Sequence, residues 1–133
     1  SYHFTTLPLF GAVPRPVALD RATMAFDPAA LRKVLTKRTR AVLVNTPGNP
    51  SGKVWTRAEL EQLAAVLDGS DVIVLTDEVY EYMCFDGREH VSPAAVAGLA
   101  ERTLTMNSFS KTFSATGWRV GFLAGPPDIV EKC

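Results

Sequence analysis

The sequence predicts an α/β fold: a mostly parallel sheet with flanking helices, arranged as three α/β/α layers. Ala41-Val42-Leu43-Val44 and Val72-Ile73-Val74-Leu75 are continuous apolar runs without alternation, the pattern of strands covered on both faces. Between them Leu60, Leu63, Ala64 and Leu67 recur at helical spacing. Strand-like and helix-like stretches go on alternating to either side, and such an order implies right-handed crossovers and parallel neighbours.

Taken in order, residues 2–13 are mixed apolar and aromatic, and predict a short helix leading to Gly11. Val13 to Leu19 reads as a short strand weakened by Pro14 and Pro16. Asp27-Pro28 supplies an N-cap and a proline at the first helical position, with Leu31, Val34 and Leu35 on one face. After the strand at 41–44, Asn45-Thr46-Pro47-Gly48-Asn49-Pro50-Ser51-Gly52 holds two prolines and two glycines and must be a loop. Thr56-Arg57-Ala58-Glu59 is a capping box that opens the helix carrying Leu60 to Leu67. The strand at 72–75 runs into Thr76-Asp77-Glu78-Val79-Tyr80, and Phe85-Asp86-Gly87-Arg88 is a turn. Ser92-Pro93 caps a short helix through Glu101, followed by a strand at Thr103 to Asn107. Past Arg119 comes the apolar Val120-Gly121-Phe122-Leu123-Ala124, and Pro126-Pro127-Asp128 reads as another helix start.

Composition narrows the function classes. Lys+Arg and Asp+Glu are 14 each, so no net field favours nucleic acid or an anionic membrane. No apolar run approaches the roughly 20 residues of a membrane span, and Ser1-Tyr2-His3-Phe4 lacks the order of a signal peptide. Cys84 and Cys133 are too few and too far apart for a disulfide framework or zinc site, which fits a cytoplasmic protein. His3 and His90 have no partner at metal-ligand spacing and read as structural or exposed. The chain begins without Met and closes two turns into a helix start, so it is expected to be an internal fragment of a larger domain.

In open α/β sheets ligands sit at the carboxyl ends of the strands. One predicted strand ends near Asn45 and Asn49, the next at Asp77 and Tyr80, the third at Ser108 and Lys111. A lysine at a strand end is suited to forming an imine with a carbonyl compound. Ser108, Ser110 and Arg119 are donors of the kind that hold a phosphate group. Together they suggest pyridoxal phosphate. Taken singly, each residue also has an ordinary reading: Asn49 as a turn residue, Asp77 as an N-cap, Tyr80 as core packing, Lys111 as a solvated lysine, and Arg119 in a surface ion pair. Their convergence on one set of strand ends favours a site.

Asn-Pro-Ser-Gly at 49–52, Asp-Glu-Val-Tyr at 77–80 and Ser-Phe-Ser-Lys-Thr-Phe-Ser-Ala-Thr-Gly-Trp-Arg-Val-Gly at 108–121 resemble the fold-type I pyridoxal-phosphate aminotransferases of classes I and II. Within that family the chain looks most like the branch with kynurenine, glutamine and methionine aminotransferases. The resemblance implies that Lys111 is the Schiff-base lysine and proton shuttle, and that Asp77 pairs with the pyridine nitrogen. It further implies that Tyr80 and Asn49 bond the ring's 3′ oxygen, that Ser108 and Arg119 hold the phosphate, and that Tyr2 stacks on the ring. Asn45 would approach the substrate carboxylate. Amino-acid and 2-oxo-acid substrates and a homodimer are implied as well, with no nucleic acid or membrane partner. The family's phosphate loop would precede residue 1, and its carboxylate-clamping arginine would follow residue 133. Carbon–sulfur β-lyases, aminocyclopropane-carboxylate-synthase-like enzymes and the sensory domains of some transcription regulators share the same grip.

Overall fold

In the computed structural model, which describes residues 5–133, the strands are Ala41–Asn45 (β1), Ile73–Asp77 (β2), Thr103–Ser108 (β3) and Gly121–Ala124 (β4). The α-helices are Pro28–Val34 (α1), Arg57–Leu67 (α2), Phe109–Thr112 (α3) and Pro127–Val130 (α4). The chain divides between Thr36 and Lys37 into two compact units.

Residues 37–133 hold one sheet in the order β1-β2-β3-β4. The first two pairings are parallel, with Asn45 opposite Asp77 and Asp77 opposite Met106. β4 returns antiparallel, with Ser108 opposite Gly121. The sheet is therefore mostly parallel, as the alternation of elements predicts.

The β1-to-β2 crossover is α2. Thr56 accepts a hydrogen bond from the Glu59 amide at 3.2 Å, and Glu59 Oε2 accepts from the Thr56 amide at 3.0 Å, so two orphan donors of the first turn are satisfied together. Leu60, Leu63 and Leu67 are fully buried, each worth about 1.5–3 kcal/mol of apolar burial. At the far end the Arg102 guanidinium donates to the carbonyls of Leu67, Ser70 and Val72 at 3.1, 2.6 and 3.3 Å. A cation there complements the helix's negative end.

The β2-to-β3 connection departs from expectation. The helix predicted from Ser92 through Glu101 is two 3-10 turns, Pro93–Ala95 and Ala100–Arg102. Val96 is extended and Gly98 has a φ of +81°, which ends any continuous helix. Burial of Val96 and Leu99 holds this broken path in place.

The core of this unit combines the α2 leucines with Val44, Val74, Val96, Leu99 and Leu104. The unbroken apolar runs predict strands covered on both faces, yet cover is one-sided among the described residues: Val44 and Val74 are buried, whereas Leu43 is 37% exposed and β4 is exposed throughout. α2 is the one long helix of residues 37–133, so it can serve one face.

In residues 5–36, a helical path leads to Gly11 as expected: Thr5 and Thr6 are α-helical and pass into a 3-10 turn, Leu7–Phe10, closed by Gly11 at φ 76°. The strand expected at Val13–Leu19 does not form; Pro14 and Pro16 remove two ladder donors from a seven-residue run. The path instead reaches a turn in which Asp20 Oδ1 accepts from the amides of Ala22 and Thr23 and from the Thr23 hydroxyl. α1 starts as predicted, with Asp27 accepting from the Ala29 amide at 2.8 Å and Pro28 at the first helical position.

Candidate functional site

Because β1, β2 and β3 are parallel, their carboxyl ends lie along one edge, and the predicted residues assemble there. The link starts at Asn45, whose amide donates to the Asp77 carbonyl at 3.0 Å and whose Oδ1 accepts from the Asn49 backbone amide at 2.8 Å. Asn49 Nδ2 then donates to the Tyr80 hydroxyl at 3.1 Å. The Lys111 ammonium lies 5.8 Å from the centroid of the Tyr80 ring, within cation–π range. A continuous series of contacts thus runs from the end of β1 to the residues just past β3.

The 45–52 loop is shaped to present Asn49. Gly48 donates to the Lys53 carbonyl at 2.8 Å, and Gly52 donates to the Gly48 carbonyl at 2.7 Å. A Cβ on Gly48 would stand 2.9 Å from Ser51 Oγ and 3.3 Å from the Asn45 carbonyl, so glycine suits this close approach. Thr46 Oγ1 accepts from the Trp55 amide at 3.1 Å. Lys53 is buried, with its ammonium 2.6 Å from Glu59 Oε1 and 5.4 Å from the Trp55 ring centroid. One carboxylate, Glu59, therefore caps α2 and fastens the loop.

Asp77 takes the capping role that its position allows. Its Oδ1 accepts from the Val79 amide at 3.3 Å, as a cap would. Oδ2 takes no hydrogen bond among the described residues, which leaves an acceptor at the strand end. The Asp77 carbonyl is held by Thr46 N at 3.0 Å as well as by Asn45, and the next amide, Glu78 N, donates to the Met106 carbonyl at 3.0 Å. The backbone carrying this carboxylate is pinned from β1 on one side and β3 on the other.

At the end of β3, Ser108 caps α3, accepting from the Ser110 amide at 3.1 Å, and its hydroxyl also meets the Ser110 hydroxyl. Lys111 is exposed on the first turn of α3. The antiparallel return of β4 brings Arg119 back to the same region: Gly121 pairs with Ser108, and the Phe109 amide donates to the Val120 carbonyl at 3.1 Å. Arg119 is left-handed at φ 53°, and its guanidinium donates to the Thr116 carbonyl at 3.3 Å. Tyr2 lies outside the described residues.

Sequence reasoning missed the polar cluster behind this edge. Glu78 is buried and accepts from the hydroxyls of Thr76 at 2.6 Å, Ser92 at 2.9 Å and Thr105 at 3.2 Å, while its Oε2 lies 2.6 Å from His90 Nε2. Burial pushes the Glu78 carboxyl up, but the bonds from His90, Thr76 and Ser92 and the His90 charge outweigh it and hold it below the usual value. The signal was the period-2 spacing of Thr76 and Glu78, which places them on the face opposite Asp77. Lys53 and Asn107, both buried, were missed too; Asn107 Nδ2 donates to Glu81 at 2.8 Å, and its Oδ1 accepts from the Ser108 amide at 2.7 Å.

The donor set suits pyridoxal phosphate: a primary amine, a carboxylate with one open oxygen, an amide–phenol pair, and hydroxyls with a guanidinium along one edge. Among the described residues no three His, Cys, Asp or Glu side chains gather to hold a metal.

Comparison with known proteins identifies the family. Residues 2–133 match the family model for aminotransferase class I and II. Aromatic-amino-acid aminotransferase 2 of Thermococcus litoralis is 52% identical over 102 residues, covering 77% of this chain and 26% of the relative. Kynurenine–oxoglutarate transaminase 1 of Homo sapiens is 50% identical over 105 residues, covering 79% of this chain and 25% of the relative. The crystal structure of an aromatic aminotransferase from Pyrococcus horikoshii superposes with a TM-score of 0.88 at 42% identity, covering 94% of this chain and 34% of that one. The chain spans about a quarter of the length of the curated relatives it matches.

Proposed function

Since the chain belongs to the class I and II aminotransferases, we propose that it forms the cofactor-holding part of an enzyme that moves an amino group between an amino acid and a 2-oxo acid. The observation that carries this reading is the Asn49–Tyr80 bond at 3.1 Å with the Lys111 ammonium 5.8 Å from the Tyr80 ring, on the edge where Asp77 keeps an open oxygen. Pyridoxal phosphate, when bound, supplies the electron sink that lets a proton leave the substrate α-carbon.

The residues of this chain hold and direct that group. Lys111 would hold the group covalently through Nζ and, when free of it, would hold and move a proton at Nζ. Asp77, through its open oxygen, keeps the ring nitrogen protonated. Asn49 and Tyr80 orient the ring through its 3′ oxygen, and Ser108 and Arg119 hold the phosphate, Arg119 as a fork donor. Tyr2 is assigned to the ring face. Asn45 spends one N–H and its oxygen on Asp77 and Asn49, so one amide N–H remains for a substrate carboxylate. We further assign a homodimeric, cytoplasmic enzyme whose large domain includes these residues. The matched relatives bear aminotransferase names, which supports amino transfer over β-elimination or a sensory role.

The test is reductive trapping. Borohydride treatment of the full-length protein with pyridoxal phosphate should label Lys111, and Asp77→Ala should sharply reduce turnover while the label persists. A label on another lysine, or a normal rate in Asp77→Ala, refutes the assignment. Residues 1–133 expressed alone should show no amino-acid-dependent turnover, because they span about a quarter of the length of the relatives they match.

A further inference from the structure

Glu78 is a buried carboxylate that the proposed reaction does not use. It follows Asp77 directly and draws its partners from β2, from β3 and from the connection between them: Thr76, Thr105, Ser92 and His90. Strand alternation puts Thr76 and Glu78 on the covered face and Asp77 on the opposite one; both flanking residues are buried and Asp77 is half-buried. The Thr76 hydroxyl sits 2.6 Å from Glu78 Oε1 and 3.3 Å from the Thr105 hydroxyl. The carboxylate thus ties the two neighbours of Asp77 to each other and to β3 beneath the sheet, while Glu78 N bonds the Met106 carbonyl above that tie.

We propose that Glu78 is a positioning residue: through Thr76, Thr105, Ser92 and His90 it fixes the peptide units on either side of Asp77 and so aims the Asp77 carboxylate at the ring nitrogen of the cofactor. This rests on the reading of Asp77 as the partner of that nitrogen. The demand on Glu78 is for a carboxylate specifically. Its two oxygens receive hydroxyl and imidazole donors on both sides, whereas an amide offers one acceptor and turns an NH2 toward His90 or toward the hydroxyls. An NH2 turned toward His90 would lose the contact that Oε2 now makes with Nε2 at 2.6 Å, and an NH2 turned the other way would face three hydroxyls that now donate to Oε1. Either way one set of donors loses its acceptor and the charge that strengthened these bonds is gone, so Glu78→Gln loosens the cluster although it keeps the side chain's shape.

The experiment uses the full-length enzyme with pyridoxal phosphate labelled with 15N in the ring. In Glu78→Gln the ring-nitrogen resonance should move toward the unprotonated position and kcat should fall by about tenfold, the low end of what outer-shell partners are worth, with KM for the amino acid within about twofold. Thr105→Val, which removes one donor and keeps the strand shape, should move the resonance the same way by less, and it decides the matter if Glu78→Gln does not fold. A lowered melting temperature with the resonance and kcat of the unmodified enzyme, in either variant, overturns the proposal by making Glu78 a stabilising residue alone. Asp77→Asn is the control: if it leaves the resonance unmoved, the assignment of Asp77 fails, and the role given to Glu78 falls with it.

Discussion

Replacing Glu59 with Gln separates two tasks that one carboxylate performs. Oε2 accepts from the amide and hydroxyl of Thr56 at 3.0 and 3.1 Å, and Oε1 holds the Lys53 ammonium at 2.6 Å. Glutamine can still complete a capping box, because its carbonyl oxygen accepts as well. What it cannot do is neutralise Lys53, whose side chain is 7% exposed against 14% for Glu59. Removing one partner of a buried ion pair costs about 3–5 kcal/mol. The partial exposure of Glu59 and the Trp55 ring 5.4 Å from the ammonium favour the lower end, about 3 kcal/mol. Loss of the cap alone, in Thr56→Ala, should cost about 1 kcal/mol. In urea, with a slope of about 2 kcal/mol/M, Glu59→Gln should lower the midpoint by about 1.5 M and Thr56→Ala by about 0.5 M. Adding Lys53→Met to Glu59→Gln should restore most of the loss, since buried ion pairs replaced by apolar side chains are often neutral or better. Equal costs for Glu59→Gln and Thr56→Ala, or a double variant no more stable than Glu59→Gln, would refute the account of Lys53 as a buried cation held by one carboxylate.

Acid should destabilise the protein through Glu78. Its folded carboxyl lies below the ordinary 4.5, so its contribution is complete above that value and is lost as pH falls through the lower folded value, where the native state must also take up the proton. A melting-temperature series from pH 7 to 3 should drop more steeply for the unmodified protein than for Glu78→Gln; parallel curves would contradict this. Gly121→Ala should loosen the β3–β4 pairing. Its Cβ would fall 2.7 Å from the Asn107 carbonyl oxygen, a backbone atom that cannot swing aside. A cost of about 1–3 kcal/mol is expected, with weaker cofactor retention in dialysis because Gly121 pairs with Ser108.

Local chemistry made much of the fold legible. The apolar runs at 41–44 and 72–75, the Thr56–Glu59 capping box and the Asp27-Pro28 start each state their conformation within a few residues, and each formed. The segments that departed from expectation are those where distant packing decides. Val13–Leu19 has strand-like residues and no partner for its ladder among the described residues. The stretch from Ser92 to Glu101 begins as a helix would, but Val96 and Leu99 are drawn into the core along an extended path. The site edge was readable because parallel strands must end together, and so Asn45, Asn49, Asp77, Tyr80, Ser108 and Lys111 could be placed side by side without coordinates. The support beneath it was not. Thr76, Glu78, His90, Ser92 and Thr105 are 29 positions apart at most; period-2 spacing puts Thr76 and Glu78 on one face, yet only the register of β2 against β3 brings Thr105 to the same carboxylate.

The antiparallel return of β4 has a consequence for how this region can change over time. Residues 109–120 form a ring closed at its neck by the Ser108–Gly121 pairing and by the bond from Phe109 to Val120. Loops that join separate crossovers can lengthen one at a time without disturbing one another. Inside a closed ring they cannot: a residue inserted between Lys111 and Arg119 must either bulge the ring or slide β4 along β3, and a slide by one position turns every β4 side chain to the opposite face. The amine and the guanidinium are therefore tied by arithmetic, with eight steps of chain between them, and new specificity in this architecture has more room to arise in the 45–52 loop or the 78–102 connection than in the ring that carries the lysine.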